Sequence, residues 1–229
     1  MSNIVKKTTS INLLDLIAPH SCRGCGRLGK PLCDCCKKYI LTHSTSLCPI
    51  CKTTTINGKC QKHPSLPPTY NIGKRDGLID LLLHEYKYNS VRALAPILAE
   101  LINDKLPTLP KSTIIVPLPT ATNHIRTRGF DHTKKIAKTL ARYHSCKTKP
   151  LLVRTKNTVQ VGSDKKARLI QAEQAFIVNP KYRIDPSATY LIFDDVWTTG
   201  ASIKSAIKKL RQAGAKHFII ALLAVSSLD

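Results

Sequence analysis

Acidic residues are scarce: 14 Asp and Glu stand against 36 Lys and Arg in 229 residues, a formal charge of +22. The excess is concentrated, because residues 122–183 hold 15 Lys/Arg against 3 Asp/Glu. A basic surface serving only solubility would carry this much self-repulsion without relief, so an acidic partner is expected. Aromatics make up 5% of the chain, leaving Tyr39, Phe130 and Trp197 among few platforms on which nucleobases could stack. No stretch approaches the ~20 apolar residues that span a bilayer. The best N-terminal candidate, INLLDLIAP, is short and interrupted by Asp15. The expectation is a soluble, cytoplasmic protein that meets the membrane, if at all, through partners.

Hydrophobic content is 42%, enough for a packed core. Proline breaks at QKHPSLPPTY (residues 61–70) suggest a boundary between a cysteine-rich head, 1–66, and a larger domain, 67–229. Within the second part STIIVPLP (112–119), ATYLIFDD (188–195) and HFIIALLAV (217–225) have the near-continuous apolar character of buried strands. DHTKKIAKTLARY (131–143) and ASIKSAIKKLRQAG (201–214) carry apolar residues at helical spacing, the second ending on Gly214 as a C-terminal cap. Alternating strands and helices predict an α/β fold, a parallel sheet flanked by helices behind a small metal-binding domain.

Eight of nine cysteines fall within residues 22–60. They are spaced as Cys22-x2-Cys25, Cys33-x2-Cys36, Cys48-x2-Cys51 and Cys60-x2-His63, which in an unexported chain favours metal over disulfides. Two thiolates two residues apart wrap one side of a tetrahedral Zn2+, and a second pair closes it. Two ribbons in series are the simplest layout, a four-cysteine site and a three-cysteine, one-histidine site; a cross-braced pairing fits the spacing too. His63 competes with a plain loop role, and Cys35 competes with Cys36 as ligand. Closed sites of this kind are structural. Cys146 stands alone and reads as an ordinary thiol.

YLIFDDVWTTGAS (190–202) ends an apolar run on Asp194 and Asp195, then turns through Thr198, Thr199 and Gly200 into a helix at Ala201 and Ser202. In a parallel α/β sheet ligands bind at the carboxyl ends of strands, and a helix N-terminus there favours anions. Hydroxyls and backbone N–H groups of such a turn suit a phosphate, while two carboxylates suit a diol, so a sugar phosphate is the expected ligand.

This stretch resembles the 5-phosphoribosyl-1-diphosphate (PRPP) motif of type I phosphoribosyltransferases. The resemblance implies that Asp194 and Asp195 hold the ribose hydroxyls and that Thr198 through Ser202 cradle the 5-phosphate, with Mg2+ bridging oxygens of PRPP itself. Purine-salvage members carry an acid where this chain has Thr198, which disfavours that chemistry. Position 2 is Ser, so the cysteine nucleophile of a glutamine-hydrolysing amidophosphoribosyltransferase is missing.

HEYKY (84–88), VRALAPILAELI, VPLPTATNHIRTRGFDHTKKIAKTLA (116–141), a basic stretch with Gln160 and Arg168, and the aspartate pair occur in an order similar to the ComF family. Those proteins join a zinc ribbon to a phosphoribosyltransferase-like domain and take their name from competence for DNA uptake. The family usually has Asn-Gln where this chain has Asp131-His132, and Asn at Gln171. The resemblance implies single-stranded DNA as partner, with competence helicase or channel proteins nearby. Arg126 and Arg128 follow the VPLP turn, where the resemblance to type I enzymes implies a diphosphate site. Lys87 is an anion contact or a plain helix-end lysine. Lys156, Lys165, Lys166 and Arg168 fall where the resemblance implies a mobile loop closing over substrate; a simply disordered loop and a nucleic-acid surface are the alternatives. An active transferase with an unidentified acceptor and no role in DNA uptake is the alternative; no catalytic base stands out.

Overall fold

A computed structural model describes residues 20–155 and 175–226. The described residues begin with a short hairpin, β1 (His20–Ser21) and β2 (Leu28–Gly29), then α1 (Asp34–His43). After the second cysteine group come β3 (Thr69–Asn71), α2 (Gly77–Lys87), α3 (Leu94–Lys105) and β4 (Ile114–Pro117). A short α4 (Thr122–Arg128) leads into α5 (His132–Tyr143), β5 (Lys147–Thr148), β6 (Leu152–Arg154) and β7 (Phe176–Val178). The last elements are β8 (Thr189–Trp197), α6 (Ala201–Gln212) and β9 (His217–Val225).

Five strands form one parallel sheet in the order β3-β9-β8-β4-β5, and β6 with β7 forms a separate antiparallel pair. The α/β reading of the sequence therefore holds. β8 lies at the centre because Tyr190, Leu191, Ile192 and Phe193 are all buried, the requirement for a strand covered on both faces. Successive side chains alternate between faces. Leu191 and Phe193 pack with α2, α3 and α5 through Leu82, Leu98 and Ile136, whereas Tyr190 and Ile192 pack with α6 and the β6–β7 pair through Ile203, Leu210 and Phe176.

Local chemistry fixes the helix starts. Asp131 caps α5 by accepting a hydrogen bond from the Lys134 N–H, and Ile136, Ala137, Leu140 and Ala141 make its buried stripe. Gly200 precedes α6 in the left-handed conformation, φ 73°. β8 runs two residues beyond Asp195, since Val196 and Trp197 stay in register with Ala224 and Val225. Helix α6 stops at Gln212, and Gly214, φ 104°, lies just past its end.

The cysteine-rich head is packed against the sheet's helical layer. Cys22, Leu32, Cys33 and Ile40 belong to the same apolar cluster as α2 and α3. The Arg23 guanidinium donates to Glu85 of α2 at 2.8 Å, and Lys37 reaches Glu100 of α3 at 3.1 Å. The second cysteine group is tied to the sheet edge, where Asn71 bonds the backbone of Leu47 on both sides of its amide. No helix among the described residues is long and apolar enough to cross a membrane.

Candidate functional site

The parallel strands end at a cleft of about 250 Å³ lined by Lys87, Thr120, His124, Arg128, His132, Arg154, Phe176, Asp194, Asp195 and Ser202, with Leu118–Ala121 as its back wall. Strand alternation sends the two neighbouring acids to opposite faces of β8, so each meets a different wall. Asp195 faces the α2 and α5 side. Its Oδ2 lies 2.7 Å from Lys87 Nζ and 2.5 Å from His132 Nε2. Asp194 is half-buried on the other side, and its Oδ1 accepts the Asp195 backbone N–H at 2.9 Å.

These surroundings drive the two carboxyls apart. Burial disfavours ionisation of Asp194, the charge of Asp195 adds to that, and its pKa is pushed up to about 8. Burial opposes the Asp195 charge as well, but the His132 hydrogen bond and the Lys87 ammonium outweigh it and hold this acid well below the usual carboxylate range. One ionised acid thus faces Lys87, Arg128 and Arg154, which leaves the cleft with surplus positive charge suited to an anion.

The segment after β4 builds the wall beside β8, where the Leu118 N–H donates to the Phe193 carbonyl at 2.9 Å. Thr133 donates from its hydroxyl to the Leu118 carbonyl at 2.9 Å, fastening α5 to the turn. Thr120 Oγ1 lies 3.2 Å from Asp131 Oδ1, so the residue that caps α5 also orders the loop. Arg128 stacks over Tyr88 at 5.3 Å and reaches His132 Nδ1 at 3.1 Å. On the β8 side, the turn Thr198–Thr199–Gly200 is exposed at both threonines, and Trp197 is buried beneath it. Ala201 and Ser202 open α6, with Ser202 on the cleft.

Of the residues singled out in the sequence, Asp194, Asp195, Ser202, Lys87 and Arg128 come together here. Thr198, Thr199, Gly200 and Ala201 form the adjoining turn. Arg126 stands exposed and does not line the cleft. Lys156, Lys165, Lys166 and Arg168 lie outside the described residues. His132, His124, Thr120 and Phe176 were not anticipated. For His132 a signal existed: it follows a helix-capping Asp directly after the loop that closes the strand end.

The cysteines form two separate groups in series, Cys22/Cys25/Cys33/Cys36 and Cys48/Cys51/Cys60/His63, with ligand atoms within 4.8 Å of one another in each. Sulfurs of a tetrahedral four-thiolate zinc site with ~2.3 Å bonds lie roughly 3.8 Å apart; Cys25 and Cys33 are 3.7 Å apart, Cys51 and Cys60 3.5 Å. His63 presents Nδ1 to Cys48 at 3.5 Å. Cys35 is exposed and belongs to neither group. Thiols this crowded resist joint ionisation: in the first group burial opposes the Cys22 charge but backbone N–H groups of Cys33, Cys25 and Gly24 outweigh it and bring Cys22 down to about 6, while Cys33 and burial drive Cys36 up to about 12. A divalent cation resolves that conflict, and the donor set fits Zn2+.

A larger groove of about 1020 Å³ lies at the other end of the sheet, between Lys59–Pro68 and the starts of β8 and β9 at Thr189 and His217. Among the described residues no carboxylate side chain lines it. Ligands of open parallel sheets bind at the carboxyl ends of strands, so the smaller cleft is the candidate site.

No protein-family model matches the chain, and no curated protein does. Among solved structures it is similar to the allosteric regulatory enzyme of purine biosynthesis, at 13% identity and TM-score 0.36 over 61% of this chain and 26% of that one. It is similar also to the glutamine PRPP amidotransferase from B. subtilis complexed with ADP and GMP, at 13% identity and TM-score 0.38 with the same coverages. A third is a hypoxanthine phosphoribosyltransferase from Staphylococcus aureus, at 13% identity and TM-score 0.35 over 62% of this chain and 69% of that one. The chain spans about a quarter of the length of the first two. Similarity this loose carries no functional weight, and the cleft's own geometry has to supply it.

Proposed function

We propose that the cleft at the end of β8 binds PRPP with Mg2+, and that the protein is a ComF-like factor handling single-stranded DNA during natural transformation. The observation that carries the first half is the placing of Asp194, Asp195, Lys87, Arg128 and Ser202 around one cleft at the carboxyl ends of parallel strands. Asp194 and Asp195 offer oxygens to the ribose diol. The Thr198–Ser202 turn offers hydroxyls and the α6 N-terminus to the 5-phosphate, and Arg128 offers a guanidinium to the diphosphate. Bound Mg2+ would neutralise diphosphate charge through oxygens of the ligand. If transfer occurs, the bond from ribose C1 to the diphosphate oxygen breaks, diphosphate leaves, and an acceptor's electron pair forms the new bond at C1.

The DNA half rests on the order of ComF-like motifs and on the +22 charge. A polyanion neutralised by many Lys and Arg should bind with steep salt dependence.

Calorimetry of Mg·PRPP against the zinc-loaded protein and its Asp194→Asn/Asp195→Asn variant tests the first half. Micromolar binding lost in the variant supports it, and silence from the wild type refutes it. For DNA, an oligothymidylate titrated at rising salt should lose affinity steeply; no binding at low salt removes that half.

A further inference from the structure

Nδ1 of the His132 imidazole meets Arg128 Nη1 and, at 3.5 Å, the Thr120 hydroxyl, which can donate or accept; Nε2 meets Asp195, and the two shorter contacts, to Arg128 and Asp195, fix the tautomer. Arg128 Nη1 lies 3.1 Å from Nδ1, and a guanidinium can only donate. Nδ1 therefore accepts, the ring hydrogen sits on Nε2, and Nε2–H donates to Asp195 Oδ2. Lys87 donates to that same oxygen. Among the described residues nothing engages Asp195 Oδ1, which leaves this oxygen for an incoming group. The ring itself is immobilised. It is buried at the start of α5, its backbone carbonyl accepts from the Tyr86 hydroxyl at 3.0 Å, and Tyr86 packs against it edge-on.

We infer that His132 is a positioning residue of the cleft: as an Nε2–H imidazole it joins the Arg128 guanidinium to the Asp195 carboxylate and turns Oδ1 of that carboxylate into the ligand's acceptor. The inference rests on the reading of the cleft as a PRPP site, where Arg128 would serve the diphosphate and Asp195 the ribose. One ring thus sets the spacing between the groups that grip two ends of the ligand. Glutamine can both donate and accept through its amide. Histidine does the same while its ring is neutral.

The test combines the free protein with Mg·PRPP binding. Long-range 15N–1H spectra of histidine-labelled protein, with His132→Gln to assign the signal, should show His132 as Nε2–H; an Nδ1–H ring overturns the inference. In calorimetry His132→Leu should bind Mg·PRPP at least about tenfold more weakly, the value of one hydrogen bond to a charged group, while His132→Gln keeps most of the affinity. Wild-type affinity in a folded His132→Leu variant overturns it as well. A wild type that binds no PRPP refutes the proposed ligand alone, and the tautomer of the free protein still decides the role of His132.

Discussion

Lys87 Nζ and Asp195 Oδ2 stand 2.7 Å apart, an ion pair joining the last residue of α2 to the mouth of the central strand. Only 12% and 13% of the two side chains is exposed. Each is therefore costly to leave alone, and the pair keeps the Asp195 carboxylate ionised in an apolar neighbourhood. Replacing Lys87 by Met should destabilise the protein by about 1–3 kcal/mol, moderated because His132 still donates to the acid. Asp195→Asn should cost a similar amount by stranding the ammonium. The double variant should lose less than the two singles together, with a coupling of about 0.5–3 kcal/mol in urea unfolding. Strict additivity would show that the ion pair does not form in solution.

The neighbouring acid predicts a pH dependence of opposite sign. Asp194 has its folded pKa raised to about 8 from an ordinary value of 3.8. Between those values the folded state holds a proton that the unfolded chain has released, so this residue's contribution falls as pH rises. Asp194→Asn should therefore gain stability relative to wild type as pH climbs from about 4 to about 8, and remain ahead above that. Asp195, whose pKa is lowered, behaves in reverse: its stabilisation is present above about pH 4 and is lost only in stronger acid. Thermal midpoints of wild type and Asp194→Asn measured across this range check the claim, and parallel curves would refute it.

Gly200 allows the turn between β8 and α6. Its φ is +73°, and a Cβ there would run into the indole of Trp197, itself buried under the turn. Gly200→Ala should cost roughly 2 kcal/mol or more, from the left-handed backbone together with overpacking against the ring. PRPP affinity should fall further than stability does, because the exposed hydroxyls of Thr198 and Thr199 are displaced with the backbone. Unfolding and calorimetry on the same sample separate the two effects. An unchanged midpoint would mean that the indole moves aside.

The parts of this molecule that local sequence determines were legible. Tyr190 to Phe193 form an unbroken apolar run because a central parallel strand is buried on both faces, and paired Cys-x2-Cys spacing reflects the reach of two thiolates around one ion. Spacing could not choose between serial and cross-braced layouts, since both satisfy each pair; folding of the intervening hairpins chose the serial one. Lys87 was ambiguous because its partner lies 108 positions away and meets it only across the sheet end. The bond from His132 to Asp195 spans 63 positions and was invisible for the same reason. Strand period did contain the separation of the two aspartates onto opposite faces, but only the packed helices reveal that one wall is cationic.

The first cysteine group should matter to the whole fold and the second chiefly to the head. Cys22 and Cys33 are buried in the apolar cluster that includes Leu82, Leu98 and Ile136, so closing that site fixes residues on which α2 and α3 rest. Cys25 is its exposed member, and Cys25→Ser removes a candidate metal ligand with little loss of packing. This variant should drop from two zinc ions per chain to one and melt at lower temperature throughout, including the signal of Trp197 on β8. His63→Ala should lose one ion as well, yet leave the Trp197 transition closer to wild type, since its group is joined to the sheet mainly by hydrogen bonds such as those of Asn71 and of Lys52 to Ser226. Metal analysis beside fluorescence melting measures both. Equal damage from the two substitutions would mean that the second site also supports the core, and full zinc content in Cys25→Ser would exclude that residue as a ligand.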